Sequence, residues 1–480
     1  MKRLPTIHRV RMLILLLLLS ILSGMLFGCN NGNPVPPSTT VTDTAEETET
    51  GSDYPSTADY GGRSFRIMHR TNYAYEFKAD GYSGAKINDA VYARNQYIEE
   101  RYNISITNLT YTETWQNREF SGVLTTQMNA GEDASDLIAG DQHYTVPTIL
   151  NGWYLTWQEI PYLNLQASEW QNGITDVMTI NGRTYAITGD IALTFWKFMS
   201  CMVFNKNLAL SYGDENLYQV VTSERWTLEY MLSLCKEVGG EYGGIPVYGY
   251  ASDWDVSVDA FKDGFDAPSL IIEEDGNMRF DVVNEKSQAV AESLIDLYQA
   301  EYSYVKPGED PSKTLFSSGN VLFNPMRFEM IERLRKLEFD YGVLPYPKWN
   351  EAQTGYCTGI ADGVSMFLVS KYVPDTEFVG IITRALAEES RKDVVPEYIN
   401  IVLKGNSVRD QQSTMMVDLI RNSVYVDPGY VLVSGGGLAL RNVVDSVLRG
   451  TDATTLTDYW KEKEGDALKK LENIKNFYAK

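Results

Sequence analysis

The chain has 480 residues, with 42 basic against 64 acidic side chains, a formal charge of −22, four cysteines and three histidines. A surface this acidic repels phosphate backbones and anionic bilayers, which argues against nucleic-acid binding and polybasic membrane docking. The length exceeds what a single hydrophobic core serves and predicts two domains of ordinary size.

The N-terminus carries Lys2, Arg3, Arg9 and Arg11 ahead of an apolar stretch from Met12 to Phe27 that contains the unbroken run Leu15 to Leu19. A charged n-region and an apolar h-region of this length suit an export signal and fall short of a membrane span of ~20 residues. The stretch ends Leu26-Phe27-Gly28-Cys29 and turns polar at once, which resembles a bacterial lipobox. That resemblance implies cleavage after residue 28 and acylation of Cys29. Loss of four basic residues and no acid then takes the charge from −22 to −26. Residues 29–60, rich in Ser, Thr, Pro, Asn and acid, lack apolar residues for a core and read as a disordered tether of roughly 30 Å typical span.

Beyond the tether, GRSFRIMH reads as a strand and Asn88–Tyr102 as a helix with apolar residues at helical spacing. A second strand is expected at Ile104–Thr110, then the helix-like EFSGVLTTQMNAG and a short strand, DLIAG. Such alternation predicts a mostly parallel sheet, with ligands at the carboxyl ends of its strands, here the loops Met68–Phe77 and Gly140–Tyr144.

The catalytic motifs are missing. No Gly-Lys dipeptide occurs, and G-x-S-x-G, H-E-x-x-H, paired C-x-x-C and G-x-G-x-x-G are absent. His69 and His143 are the histidines left after leader removal, too few for a three-histidine metal site. The acidic stretch Asp253–Asp259 lacks the mid-loop glycine and closing glutamate of a calcium loop and reads as a loop or solvated face. Cys201, Cys235 and Cys357 are odd in number and form no disulfide framework; three buried small hydrophobes is the simpler reading, with a Cys201–Cys235 bridge left open. Aromatic residues are abundant, 31 Tyr, 17 Phe and 9 Trp, many in polar turn-rich contexts. Flat rings beside carboxylates and amides suit a saccharide, whose C–H face stacks while its hydroxyls take hydrogen bonds.

The order of segments resembles that of the family 1 extracellular solute-binding proteins, the carbohydrate-type receptors of ABC importers. The resemblance is carried by ASDLIAGDQHYTVPTILNGWYLTW, TDVMTINGRTYAIT and MVFNKNLALSYG followed by SERWTLEYMLSLCKEV, and continues through SSGNVLFNPMRFEMIERLR, DYGVLPYPKW and TGYCTGIADGVSMFLV. Thr188 stands where the family often has proline, and Ser223-Glu224-Arg225 replaces the usual proline before the tryptophan.

The resemblance implies an α/β, two-lobed periplasmic-binding-protein-like fold of type II, with lobes discontinuous in sequence and joined by a hinge. The first lobe is expected at 61–195 plus 281–342 and the second at 196–280 plus 343–480. It implies a lipid-anchored receptor on the extracellular face of a Gram-positive cell or in a periplasm. Such a receptor is a monomer that binds a sugar or oligosaccharide between its lobes, hands it to an importer permease, and has no catalytic residue, metal or cofactor. Expected ligand contacts are Tyr73, Asp141, Tyr144 and Arg327 from the first lobe and Trp196, Trp254, Tyr356 and Asp362 from the second. The alternatives are another solute, such as a peptide or polyol phosphate, and a surface glycoside hydrolase, which would need two carboxylates about 5–10 Å apart.

Overall fold

The computed structural model describes residues 55, 57–213, 215–253, 255–273, 275–306, 308–403, 411–433, 439–450 and 455–479. The chain divides into two units, Met1–Ser52 and Asp53–Lys480, and the described residues belong to the second. The leader, Cys29 and most of the tether lie outside the described residues, as does Trp254.

The main strands, in chain order, are β1 (Arg63–Arg70), β2 (Ile104–Tyr111), β3 (Leu137–Gly140), β4 (Ser200–Asn205), β5 (Ile245–Ser252), β6 (Ser303–Val305), β7 (Val321–Arg327), β8 (Tyr341–Leu344) and β9 (Met366–Leu368). The helices that cover them include α1 (Lys86–Tyr102), α2 (Leu193–Phe198), α3 (Leu228–Val238), α4 (Asp255–Gly264) and α5 (Glu285–Gln299). Toward the C-terminus follow α6 (Thr376–Glu389), α7 (Gln411–Asn422), α8 (Ala439–Leu448) and α9 (Leu456–Tyr478).

Two sheets organise the unit. The first has the order β9-β3-β1-β2, with β1 parallel to β2 and β3, and β9 antiparallel to β3. Central β1 buries Phe65, Ile67 and Met68, and all four residues of β3 are buried, the continuous apolar run of a strand covered on both faces. The second sheet has the order β6-β5-β7-β4-β8. Side chains of β4 alternate with the period of the pleat: Cys201 and Val203 join the core cluster that also contains the first sheet, while Met202 and Phe204 face a second cluster with Trp226, Met231 and Leu294. Helix α3 packs on β5, α7 on β8, and α8 on α4 and α5.

The sheets divide the chain differently from the expected lobes. Segment 281–342 gives β6, β7 and β8 to the second sheet, and segment 343–480 returns β9 to the first sheet and α6 to α1. The reason lies in β9. Its Met-Phe-Leu triplet is too short to announce itself, and it pairs antiparallel with a strand more than 200 residues upstream. An alternation of strands and helices gives no sign of such a partner.

The segments that run between the sheets, 185–199 and 345–365, pair with each other. Ser200 N–H donates to Gly359 O at 2.9 Å and Ala361 N–H to Phe198 O at 3.2 Å, an antiparallel bridge of Met199 with Ile360. Cys201 and Cys235 are buried free thiols and Cys357 is a half-buried one. No described helix is long and apolar enough to cross a membrane.

Candidate functional site

The site is built where the paired crossing segments meet strand ends. After β3 the chain turns sharply. The Asp141 carboxylate accepts the Tyr144 N–H at 2.6 Å, and the Asp141 carbonyl accepts the N–H groups of Thr145 and Val146. Gly140 is required there, since an added Cβ would lie 2.2 Å from Thr145 Oγ1. The turn delivers Gln142, whose side-chain N–H donates to the Ala361 carbonyl at 3.3 Å.

A cavity of about 280 Å3 opens beside this contact. Gln142 comes from the first sheet's loop; Ser200 and Arg327 come from the start of β4 and the end of β7; Gly359 to Asp362 come from the second crossing segment. Asp259, Lys262 and Asp263 on α4, Asp427 and Tyr430, and Arg441 on α8 close the far side. Arg327 also borders an adjoining cavity of about 180 Å3, with Asp253, Asn324, Arg333 and Tyr346 among its walls. Both spaces are clefts at strand ends, where open α/β sheets place their ligands.

Charge in the first cavity is dense and largely paired. The Lys262 ammonium reaches Asp427 at 2.5 Å and Asp263 at 3.6 Å. Burial works to lower its pKa, but the two carboxylates more than offset this and the net shift is upward. Burial raises the Asp263 carboxyl to about 7, against the pull of Lys262. Asp427 accepts hydrogen bonds from Ser269 N–H and Oγ and from Gly429 N–H as well. Arg441 pairs closely with Asp259. The Tyr430 hydroxyl donates to Asp362 at 2.8 Å. Arg327 pairs with Glu329 at 2.7 Å and lies over the Phe198 ring at 5.1 Å.

Of the residues expected from sequence, Arg327 and Asp362 line the cavity. Asp141 stands one residue from it, 4 % exposed, 3.6 Å from the Arg70 guanidinium. Burial pushes its carboxyl pKa upward, with Arg70 opposing. Tyr73 lies under Arg70 at 4.3 Å and edge-on to Phe198 at 5.6 Å, behind the wall formed by Arg327. Tyr144 is turned toward Arg118, which covers its ring at 3.0 Å.

Trp196 and Tyr356, like Tyr73, Asp141 and Tyr144, are not among the cavity's walls, and these two are turned into the core. Trp196 is 1 % exposed, and its indole N–H donates to Asp190 at 3.1 Å. Tyr356 is packed in the second core cluster, its hydroxyl donating to the Val221 carbonyl at 2.9 Å. Position in a crossing segment suggested Trp196, but α2 turns its ring into the core.

Sequence reasoning missed Lys262, Asp263, Asp427, Tyr430 and Arg441, and assigned Asp259 to a loop or solvated face. One signal was present. Helix α4 buries Val258 and Phe261, with Phe265 buried just beyond its end, and Lys262 and Asp263 stand among them at 4 % and 8 % exposure. A charged pair at the apolar positions of an amphipathic helix calls for partners or a ligand. Among the described residues Tyr430 is the single aromatic one in the first cavity's walls, fewer rings than the aromatic composition suggested.

No family model and no curated protein matches this chain. Solved structures do. A sugar transporter from Rhizobium etli in an open conformation matches with a TM-score of 0.58 at 13% identity, covering 86% of this chain and 99% of that one. A cyclo/maltodextrin-binding protein complexed with maltotetraose matches at 0.57 and 14%, covering 84% and 97%. An ABC substrate-binding protein from Listeria monocytogenes in complex with cycloalternan matches at 0.55 and 15%, covering 86% and 99%. At such identities the likeness shows the fold alone: the chain has the two-lobed α/β fold of these structures.

Proposed function

We propose that this chain is a receptor that captures a sugar or oligosaccharide in the cleft between its two sheets and delivers it to an ABC importer, without chemistry of its own. The observation that carries the reading is the convergence of Gln142, Ser200, Arg327 and Asp362 on one cavity. They come from the first sheet's loop, the paired start of β4 and end of β7 in the second sheet, and the second crossing segment. A solute seated there touches both halves of the protein, and bending at 185–199 and 345–365 closes them around it. A ligand that contacts both halves in the closed state alone shifts the population toward closure.

The neighbours' cargo supports the saccharide. The related folds were solved with cycloalternan and maltotetraose. Carboxylates, amides and guanidinium groups in the cavity are the partners that sugar hydroxyls need. Arg327 and Asp362 are the proposed direct contacts, with Gln142 and Tyr430 beside them; Asp141, Tyr73 and Tyr144 support the loop and wall. Trp254 is a further proposed contact, and Trp196 and Tyr356 act through packing. Lipidation at Cys29 and display on the outer face, in a Gram-positive envelope or a periplasm, are part of the same proposal, resting on the leader sequence.

A thermal-shift screen against mono- and oligosaccharides, amino acids, peptides and polyol phosphates tests the reading. Ligand at about 100 times its Kd adds ~2.7 kcal/mol of stability. A rise in Tm with a saccharide recovered intact is expected. A rise with peptides or phosphates only, or a saccharide recovered cleaved, would overturn it.

A further inference from the structure

Helix α4 presents two carboxylates one turn apart to the cavity, and each keeps an oxygen in reserve. Asp259 and Asp263 are spaced i, i+4, so they stand on one helix face with Cβ atoms about 5–6 Å apart. Asp259 gives Oδ2 to Arg441, and its buried Oδ1 receives no hydrogen bond. Asp263 is 8 % exposed; its Oδ1 also receives none, and the nearest cation, Lys262, stands 3.6 Å away while holding Asp427 at 2.5 Å. In the adjoining cavity Asn324 Oδ1 is a third buried acceptor without a donor. On the donor side, Arg327 Nε is buried without an acceptor. Buried polar groups carry a penalty unless satisfied, and the penalty is greater for charge. The walls therefore call for a visitor richer in donors than in acceptors.

We propose that the solute is an amino sugar, its protonated amino group held between Asp259 and Asp263 while its hydroxyls meet Asp362, Gln142 and Arg327. This rests on the reading of the cavity as a saccharide site. An ammonium brings three donors and a full charge, enough for both reserved oxygens at once. A neutral hydroxyl brings one donor, enough for one of the two reserved oxygens. A carboxylated sugar meets four aspartates, with Lys262 and Arg441 already engaged by two of them. The chain's net charge of −22 draws cations toward the cleft and not anions. The raised carboxyl of Asp263 fits the same picture, since its ionised form awaits a partner that an ammonium supplies.

The test is calorimetric titration of the full protein with glucosamine and galactosamine, free and as disaccharides, against the hydroxyl-bearing and N-acetylated counterpart of each, and against spermidine. We expect an amino form to bind about tenfold or more tighter than its counterparts at pH 7, the strength of one or two charge-assisted hydrogen bonds. In Asp263→Asn that advantage should shrink several-fold. Asp259→Asn serves equally if the first variant fails to fold, and the wild-type comparison stands without either. Hydroxyl-bearing or N-acetylated sugars binding as well as the amino forms would overturn the proposal and leave the saccharide reading intact. Spermidine binding with no saccharide binding, or no binding by any probe, would overturn both.

Discussion

The Ser365 hydroxyl donates to Glu76 Oε2 at 2.5 Å, and Glu76 Oε1 accepts the N–H and hydroxyl of Thr194, each at 2.6 Å. One fully buried carboxylate thus holds both segments that run between the sheets. Arg70 adds to the same point, donating to Ser365 Oγ at 3.1 Å and to Gly363 O at 2.7 Å while its other nitrogen faces Asp141. Burial raises the Glu76 carboxyl above its ordinary range, although its hydrogen bonds oppose the shift. Removing the acceptor in Glu76→Ala leaves buried donors unsatisfied, and we expect a loss of at least ~2 kcal/mol in denaturant unfolding. Unchanged stability would contradict the pinning role.

Asp263→Asn is predicted to stabilise the ligand-free protein near neutrality. The ordinary Asp carboxyl titrates near 3.8, and burial lifts this one to about 7. Between those values the native state keeps a proton that the unfolded chain has released. The stability contributed by this group is complete below pH ~4 and is lost as pH rises through about 7. The variant should match the wild type at pH 4 and exceed its Tm by a few degrees at pH 8. Lys262 keeps Asp427 in the variant. Equal Tm values at pH 8 would show that Asp263 is not held in a low-dielectric site.

Trp196→Ala and Asp362→Ala should fail in opposite ways. The Trp196 ring is enclosed, so its truncation should cost about 3–5 kcal/mol of stability. Asp362 is partly exposed at the cavity wall, and its loss should leave Tm nearly unchanged while weakening saccharide affinity roughly tenfold to a hundredfold, one or two hydrogen bonds to a charged group. Paired Tm and titration measurements separate the two.

Cysteine labelling checks the core assignment. Cys201 and Cys235 point their thiols at the carbonyls of Met326 and Gly249, at 3.4 Å in each case, and burial raises both thiols above their ordinary range. The native protein should therefore resist alkylation at these positions at pH 8. After unfolding without reductant, all three should label. Failure of Cys201 and Cys235 to label in the unfolded chain would reveal a bridge.

What could be read in the sequence followed from local rules. The strands β1 to β3 announce themselves as short apolar-rich runs between turn signals, helix α1 through apolar residues at helical spacing, and Asp141 through its place after a strand. Arg327 and Asp362 were legible through the family resemblance, in the segments SSGNVLFNPMRFEMIERLR and TGYCTGIADGVSMFLV. Lys262, Asp427, Tyr430 and Arg441 were not, because their meeting depends on helices and loops more than 150 residues apart in the chain. Asp427 before Pro428 reads locally as a helix cap, which it is, through Gly429 N–H; its second role with Lys262 appears only in the fold. Trp196 shows the converse. Its polar-site reading rested on position in a crossing segment, and the direction of a ring on a six-residue helix is set by packing.

Calorimetric titration of the wild type and of Asp362→Ala with the saccharide that raises Tm most tests the central claim directly. The account predicts one intact saccharide bound per chain, with affinity cut about tenfold or more in the variant. Equal affinity in the two proteins would place the sugar elsewhere and contradict the cavity as its site.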